Sequence, residues 1–245
     1  QVGILTMHLF GLRSNRIDRG ATRLRSIVSR AVAFATLLVC HTWFAPNAAA
    51  QTLATIQLTP GWATFGQALP QGAATSGVRV GTFPTQTDVK NRWPDGSIKF
   101  AVVSAHVPSA GNYPVTPSAA VGGSFTPIVP TASVTLAIDG TPYVAALPGS
   151  PGTDVWLDGP EVREWRTVAA PAAGAAAHPF LRVIFDARVY RDGQARVSVT
   201  VENVLNQTGA TTTAYDVQVR ANGQMLFARA NVEHYYLTRW RKTFP

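Results

Sequence analysis

The sequence predicts an all-β protein, and three observations predict it. Beyond residue 50, apolar and polar residues alternate with a period of two, the pattern of strands with one face buried. No stretch there carries apolar residues at the three-and-four spacing of an amphipathic helix. Asp-Gly and Asn-Gly pairs recur between the alternating runs, where tight hairpins demand positive φ.

Residues 1–50 are set apart by composition. Six arginines and one aspartate precede the apolar run "AVAFATLLVCHTWFAP", which leads into "NAAAQ". Charged region, apolar region and small-residue site occur in the order of a signal peptide, with cleavage expected between Ala50 and Gln51. The uninterrupted apolar part, Ala31 to Cys40, falls short of the ~20 residues that a spanning helix needs. The expectation is export to a bacterial periplasm or the outside. The alternative is a membrane anchor through this uncleaved segment. The single cysteine, Cys40, lies within the leader, so disulfides and cysteine-bound metal are not expected in the rest.

A first β domain is expected over 52–106. Its best-defined local feature is "RWPDGSIKF", Arg92 to Phe100. Pro94 suits the second position of a turn, Asp95-Gly96 complete it, and an alternating strand begins at Ser97. Trp93 is expected to pack under the turn and Asp95 to bond to backbone amides. Residues 107–130, rich in Pro, Gly and Ser, read as a linker.

An antiparallel sandwich is expected over 131–238. "VTLAIDGTPYVAAL" is a hairpin turning at Asp139-Gly140. "FLRVIFDARVYRDGQARVSVTVEN" is a second. It places Leu181, Val183, Phe185, Ala187 and Val189 on one face, with Arg182, Asp186, Arg188 and Tyr190 on the other. "TTTAYDVQVR" and "QMLFARANVEHYYL" make a third around Asn222-Gly223. "APAAGAAAHP" (170–179) reads as a loop, and 239–245 as a basic aromatic tail that is truncated.

The stretches "TFGQALPQG" (64–72) and "PTQTDVKNRWPDGSIKFAVVSA" (84–105) carry a resemblance. They resemble the first, RIFT-barrel-like domain of the exo-rhamnogalacturonan lyase and YetA-like family, on Phe65, Gly66, Pro70, Gly72, Gln86, Asp88, Trp93, Asp95, Gly96, Ser97, Lys99 and Phe100. "LDGPEVREWRT" and "VTVEN" look like the sandwich that follows it. The likeness spans about 55–205 and rests on structural residues. It implies a small RIFT-type barrel followed by a β-sandwich, and a polysaccharide substrate class. It also implies that the family's catalytic α/α-toroid is a missing C-terminal domain. The chain is then a non-catalytic scaffold or carbohydrate-recognition part of a longer protein, or a stand-alone relative.

The net charge of +8 suggests nucleic acid until its distribution is read. Residues 51–238 hold twelve basic and twelve acidic side chains, so no basic stripe for phosphates is expected there. No G-x-S-x-G motif occurs, and His106, His178 and His234 lack metal-ligand spacing. Asp154, Asp158, Glu161 and Glu164 lack the spacing of a calcium loop and read mainly as salt-bridged surface charges. No catalytic residue, metal or cofactor is therefore assigned, and whether the chain is an enzyme stays open. The segment "EHYYLTRWRKTFP" remains. Aromatic faces stack on sugar rings and guanidiniums fork onto carboxylates, so Tyr235, Tyr236, Arg239, Trp240 and Arg241 are candidates for binding an acidic polysaccharide. The alternative is a strand whose aromatics pack on another domain. For the whole chain, the rival is a structural or adhesive surface protein without a sugar ligand. A sugar-binding module would expose coplanar aromatics on one sheet face, and a structural module would bury them.

Overall fold

Alternation becomes strand almost throughout residues 51–245, which the computed structural model describes. The leader, its cleavage site and Cys40 lie outside the described residues. The first six strands are β1 (Ala54–Leu58), β2 (Gly61–Ala68), β3 (Gly77–Val80), β4 (Thr85–Arg92), β5 (Ile98–Val107) and β6 (Gly111–Ser118). Next come β7 (Ala132–Ile138), β8 (Thr141–Ala146), β9 (Asp154–Asp158), β10 (Val162–Ala169), β11 (Ala172–Ala173) and β12 (Ala176–Ala177). The last are β13 (Arg182–Tyr190), β14 (Ala195–Asn203), β15 (Thr213–Ala221), β16 (Gln224–His234) and β17 (Thr238–Phe244). Among the described residues no helix is long and apolar enough to cross a membrane.

The strands make four antiparallel sheets, ordered β1-β6-β3, β2-β5-β4, β17-β14-β13-β10-β9 and β12-β11-β8-β7-β15-β16. The two small sheets share a core of Val78, Val80, Ile98, Val103, Ala105 and Val115. Where a barrel was expected over 52–106, these two sheets stand without closing one. The linker expected over 107–130 is corrected too, because β6 lies inside it and is the middle strand of its sheet. Pro114 and Pro117 disguised it, since proline cannot donate to a ladder. Only Val115 is flanked on both sides; β1 pairs with residues 111–115 and β3 with 115–118. Pro117 therefore has a partner on one side only, and Pro114, whose carbonyl accepts from the Gly81 amide at 2.8 Å, sits where the β3 ladder ends.

The two larger sheets face each other as a sandwich around Leu136, Trp165, Leu181, Phe185, Val199 and Val217. All three expected hairpins form. Asp139 and Gly140 turn at φ 49° and 77°, and Asn222 and Gly223 at 48° and 78°. The loop read at 170–179 carries the two-residue strands β11 and β12, which extend one sheet edge. The tail at 239–245 is likewise corrected: it is most of β17, paired with β14 from Val197↔Phe244 to Asn203↔Thr238. Trp240 and Phe244, two strand turns apart on one face, pack against the sandwich core and hold it there.

The five-stranded sheet is covered on its outer face as well, at one end. Trp62 and Val102 from the small sheets pack on Leu157, Val162 and Tyr190. Trp62 stacks on Tyr190 at 4.7 Å and 11° and donates from Nε1 to Asp192, 2.8 Å away. Beside this contact Gln86 behaves like a length of backbone. Its Oε1 accepts from the amides of Glu161 and Val162, both at 2.9 Å, and its Nε2 donates to Val162 O at 3.0 Å. Asp88 accepts from the amide of Asp158 at 3.1 Å. The described residues fall within one compact unit.

Candidate functional site

The motif residues around "WPDG" build a turn. The Trp93 amide donates to Ser97 O and the Gly96 amide to Trp93 O, at 2.8 and 2.9 Å. Asp95 Oδ1 accepts from the Ser97 hydroxyl and amide, at 2.6 and 2.9 Å, and these bonds hold its carboxyl below the usual range. Ser97 Oγ in turn accepts from the Gly72 amide. Half-buried Trp93 donates to Leu69 O at 3.0 Å, and Lys99 lies over its ring. Pro94 is exposed at the tip. Phe65 packs on the small core, and Gly66 is small because the Phe100 ring lies over it: a Cβ there would meet that ring at 2.7 Å. The side chains of Phe65, Trp93, Asp95 and Ser97 are thus occupied in holding the turn or the sheet.

The tail candidates do not converge, because a strand sends successive side chains to opposite faces. Arg239 and Arg241 point outward from β17, while Trp240 points into the sandwich. There Trp240 Nε1 donates to Tyr215 Oη at 2.8 Å, and Tyr215 donates onward to His234 Nδ1 at 2.8 Å. His234 Nε2 closes the chain by donating to Thr238 O at 3.0 Å. Burial pushes the Tyr215 hydroxyl up to about 12 and lowers His234, so both are neutral and their protons stay within the chain. Tyr235 is exposed at the β16–β17 turn and donates to Glu233; Tyr236 donates to Asn206.

What the arginines join is the open end of the outer face of the five-stranded sheet. Rows of side chains run across it in register. Arg182, Glu202 and Arg239 form one row, and Arg166, Asp186, Ser198 and Thr243 another. Between them lie Val168, Ile184, Thr200 and Arg241. Asp186 takes Arg166 Nε at 2.8 Å and Arg241 at 3.1 Å, and the first bond raises the Arg166 pKa further. Glu202 takes Arg182 at 2.5 Å and Arg239 at 3.5 Å. The carboxylates form the floor, 9% and 5% exposed, whereas Arg239 and Arg241 are 73% and 52% exposed above them. Four guanidiniums over two carboxylates leave the patch with positive charge.

The depression continues along Glu164, Arg166, Asp186 and Arg241 to Trp156 and Asp154, and at this end its three carboxylates outnumber its two guanidiniums. Trp156 sits at the bulge where β9 slips against β10, and it is 54% exposed. Among the described tryptophans only Trp156 is exposed. Lys90 donates to its carbonyl and lies 4.4 Å over its ring. The sequence singles out Arg239 and Arg241 as members of a tail site, and Trp156, Arg166, Arg182 and the two carboxylates are not among its candidates. The signal is the polar alternation of the central hairpin, Arg182, Asp186, Arg188, which places these residues on one face without saying what they meet there.

Three of the acidic group of "TDVWLDGPEVREW" pair separately with cations, Asp158 with Arg163, Glu161 with Arg191 and Glu164 with Arg188, whereas Asp154 lines the depression beside Trp156. Among the described residues no three His, Cys, Asp or Glu side chains converge as a metal site. No protein-family model, curated protein or solved structure matches this chain.

Proposed function

We propose that the protein is an exported, non-catalytic carbohydrate-recognition part of a polysaccharide-lyase-like system, and that its ligand is an acidic polysaccharide. In this reading the small sheets are an open relative of the RIFT-type barrel, and chemistry belongs to a catalytic domain carried elsewhere. The observation that carries it is the outer face described above, where an exposed indole shares a depression with Arg166 and Arg241, and Arg182 and Arg239 line the adjoining one. An indole offers a flat apolar platform to a sugar ring, and a guanidinium fork matches a uronate carboxylate. Fifteen basic against twelve acidic residues over 51–245 give only a small excess, which argues against a polyphosphate partner.

Titration of tryptophan fluorescence with an oligogalacturonide at two salt concentrations tests the proposal. The expected result is saturable quenching that weakens with salt, because exposed charges are screened. Arg241→Ala and Trp156→Ala each weaken binding by about tenfold, near the 1–2 kcal/mol of one charged hydrogen bond or ring contact, with melting temperature nearly unchanged. A flat titration sinks the recognition role. The rival reading, a structural or adhesive surface protein, draws on the fact that all four arginines already have internal partners.

A further inference from the structure

Four strands end the two large sheets, and three of them are closed to further pairing. β12 has only two residues, and β9 slips against β10 and is bonded to the small sheets through Asp158. β16 is irregular against β15 at two places and carries Asn231 at φ 52°. Shortness, bulges and cover are how a sheet edge is withheld from other chains. β17 has none of these devices. It keeps one unbroken register with β14 over seven residues, and among the described residues no strand pairs with its other side. The amides and carbonyls of that side are a template for another strand.

Beside this edge the sandwich is open. Residues 235–237 carry the chain from β16 across to β17, and the two strands then border a cavity of about 300 Å³. Val217, Phe227, Val232 and Trp240 are its apolar lining, and Lys242 holds Nζ 4.3 Å over the Phe227 ring. Around them stand Arg229, Arg239, Arg241 and Lys242 against one carboxylate, Glu233, which accepts from Tyr235. Arg229 and Lys242 meet no carboxylate among the described residues.

We infer that β17 takes up an extended segment of another protein as an added strand, and that this segment alternates acidic with apolar residues. Strand addition draws its affinity from main-chain hydrogen bonds and its selectivity from alternate side chains. A residue set opposite Trp240 points toward the cavity, where an apolar side chain leaves water. Residues opposite Arg239 and Arg241 point outward, where a carboxylate meets guanidiniums that stay exposed beyond their inner partners. A second copy of β17 is the wrong occupant. Thr238–Phe244 holds three cations and no acid, so self-pairing sets like charges together. The edge is distinct from the polysaccharide face, and either assignment can fail without the other.

The test is the fluorescence anisotropy of a labelled, end-blocked peptide that alternates glutamate with valine, titrated with the full chain. It should bind saturably, and about tenfold or more tighter than the same peptide with lysine for glutamate. N-methylation of every second residue removes the amides along one edge of a strand. The pattern that blocks the paired edge should abolish binding, while its complement keeps it. Arg229→Glu together with Lys242→Glu should weaken the acidic peptide by about tenfold, with circular dichroism unchanged. If that variant fails to fold, the comparison of peptides on the wild type decides alone. Equal affinity for the acidic and basic peptides overturns the inference, as does an absence of binding. So does equal binding by both N-methylated forms, since charge alone would then hold the peptide. A dimer in which the β17 amides gain protection from deuterium exchange gives the edge to a second copy and overturns it as well.

Discussion

Gly159 and Gln86 meet so closely that neither can change alone. A Cβ at 159 would lie 2.4 Å from the Gln86 amide carbon, and that amide supplies three hydrogen bonds to residues 161 and 162. Gly159→Ala should therefore cost about 1–3 kcal/mol through overpacking. Gln86→Ala should cost a similar amount, by leaving buried amides unpaired. In the double variant the two losses should add to less than their sum, because both break one contact; urea melts of the four proteins measure this. Gly96 is a different case. Its φ of 84° faces open space, so Gly96→Ala should cost only the backbone strain of about 1–2 kcal/mol. Trp93 and Asp95 were readable as turn builders because the chemistry of a tight turn is local. The partner of Gln86 was not, since it lies 75 residues away. His178 and His234 carry a pH prediction. Burial lowers both, so between pH ~6.5 and their folded values the unfolded chain binds protons that the native chain refuses. Stability should be full near pH 7 and fall toward pH 5, and a melting temperature that rises over that range would contradict their buried, neutral state.

Strand β17 shows what period two does to a segment read only for composition. Its residues looked like one sugar site, but alternate side chains serve opposite faces. Trp240→Ala should cost about 2–4 kcal/mol, somewhat below a fully buried ring, and should leave Tyr215 without the bond it accepts. Arg239→Ala should cost under about 1 kcal/mol, since its ion pair is long and exposed. Equal losses for the two in chemical denaturation would mean the strand is not docked as described. Strand β6 was missed for the converse reason. Its prolines are sound grounds against a central strand, yet Pro117 has a neighbour on one side only and Pro114 lies at the end of the β3 ladder, where one lost donor is tolerated. The three hairpins were readable because turn dipeptide and alternation agree in each.

At the scale of the molecule, two cores meet through one joint. Trp62 and Tyr190, with Thr64 and Ser104 beneath them, tie the small sheets to the sandwich. Unfolding of the wild type should give coincident transitions by near- and far-ultraviolet dichroism. Trp62→Ala should separate them into two steps; a single coincident transition in the variant would show that Gln86 and Asp88 suffice. The all-β class and the sandwich could be seen in the sequence, because strands such as β1, β7 and β15 bury alternate residues. The charged face could not, because its members come from β9, β10, β13, β14 and β17 and only pairing register brings them together. That pairing has a consequence in time as well as in space. Strand β13 is central in its sheet, with one face in the sandwich core and the other under the small sheets and the ion pairs, and is buried from Val183 to Tyr190. Antiparallel strands commonly keep one face wet, and their amides reach solvent by local fraying. Those of β13 have no such route, so deuterium should enter them last and at the rate at which the whole chain opens.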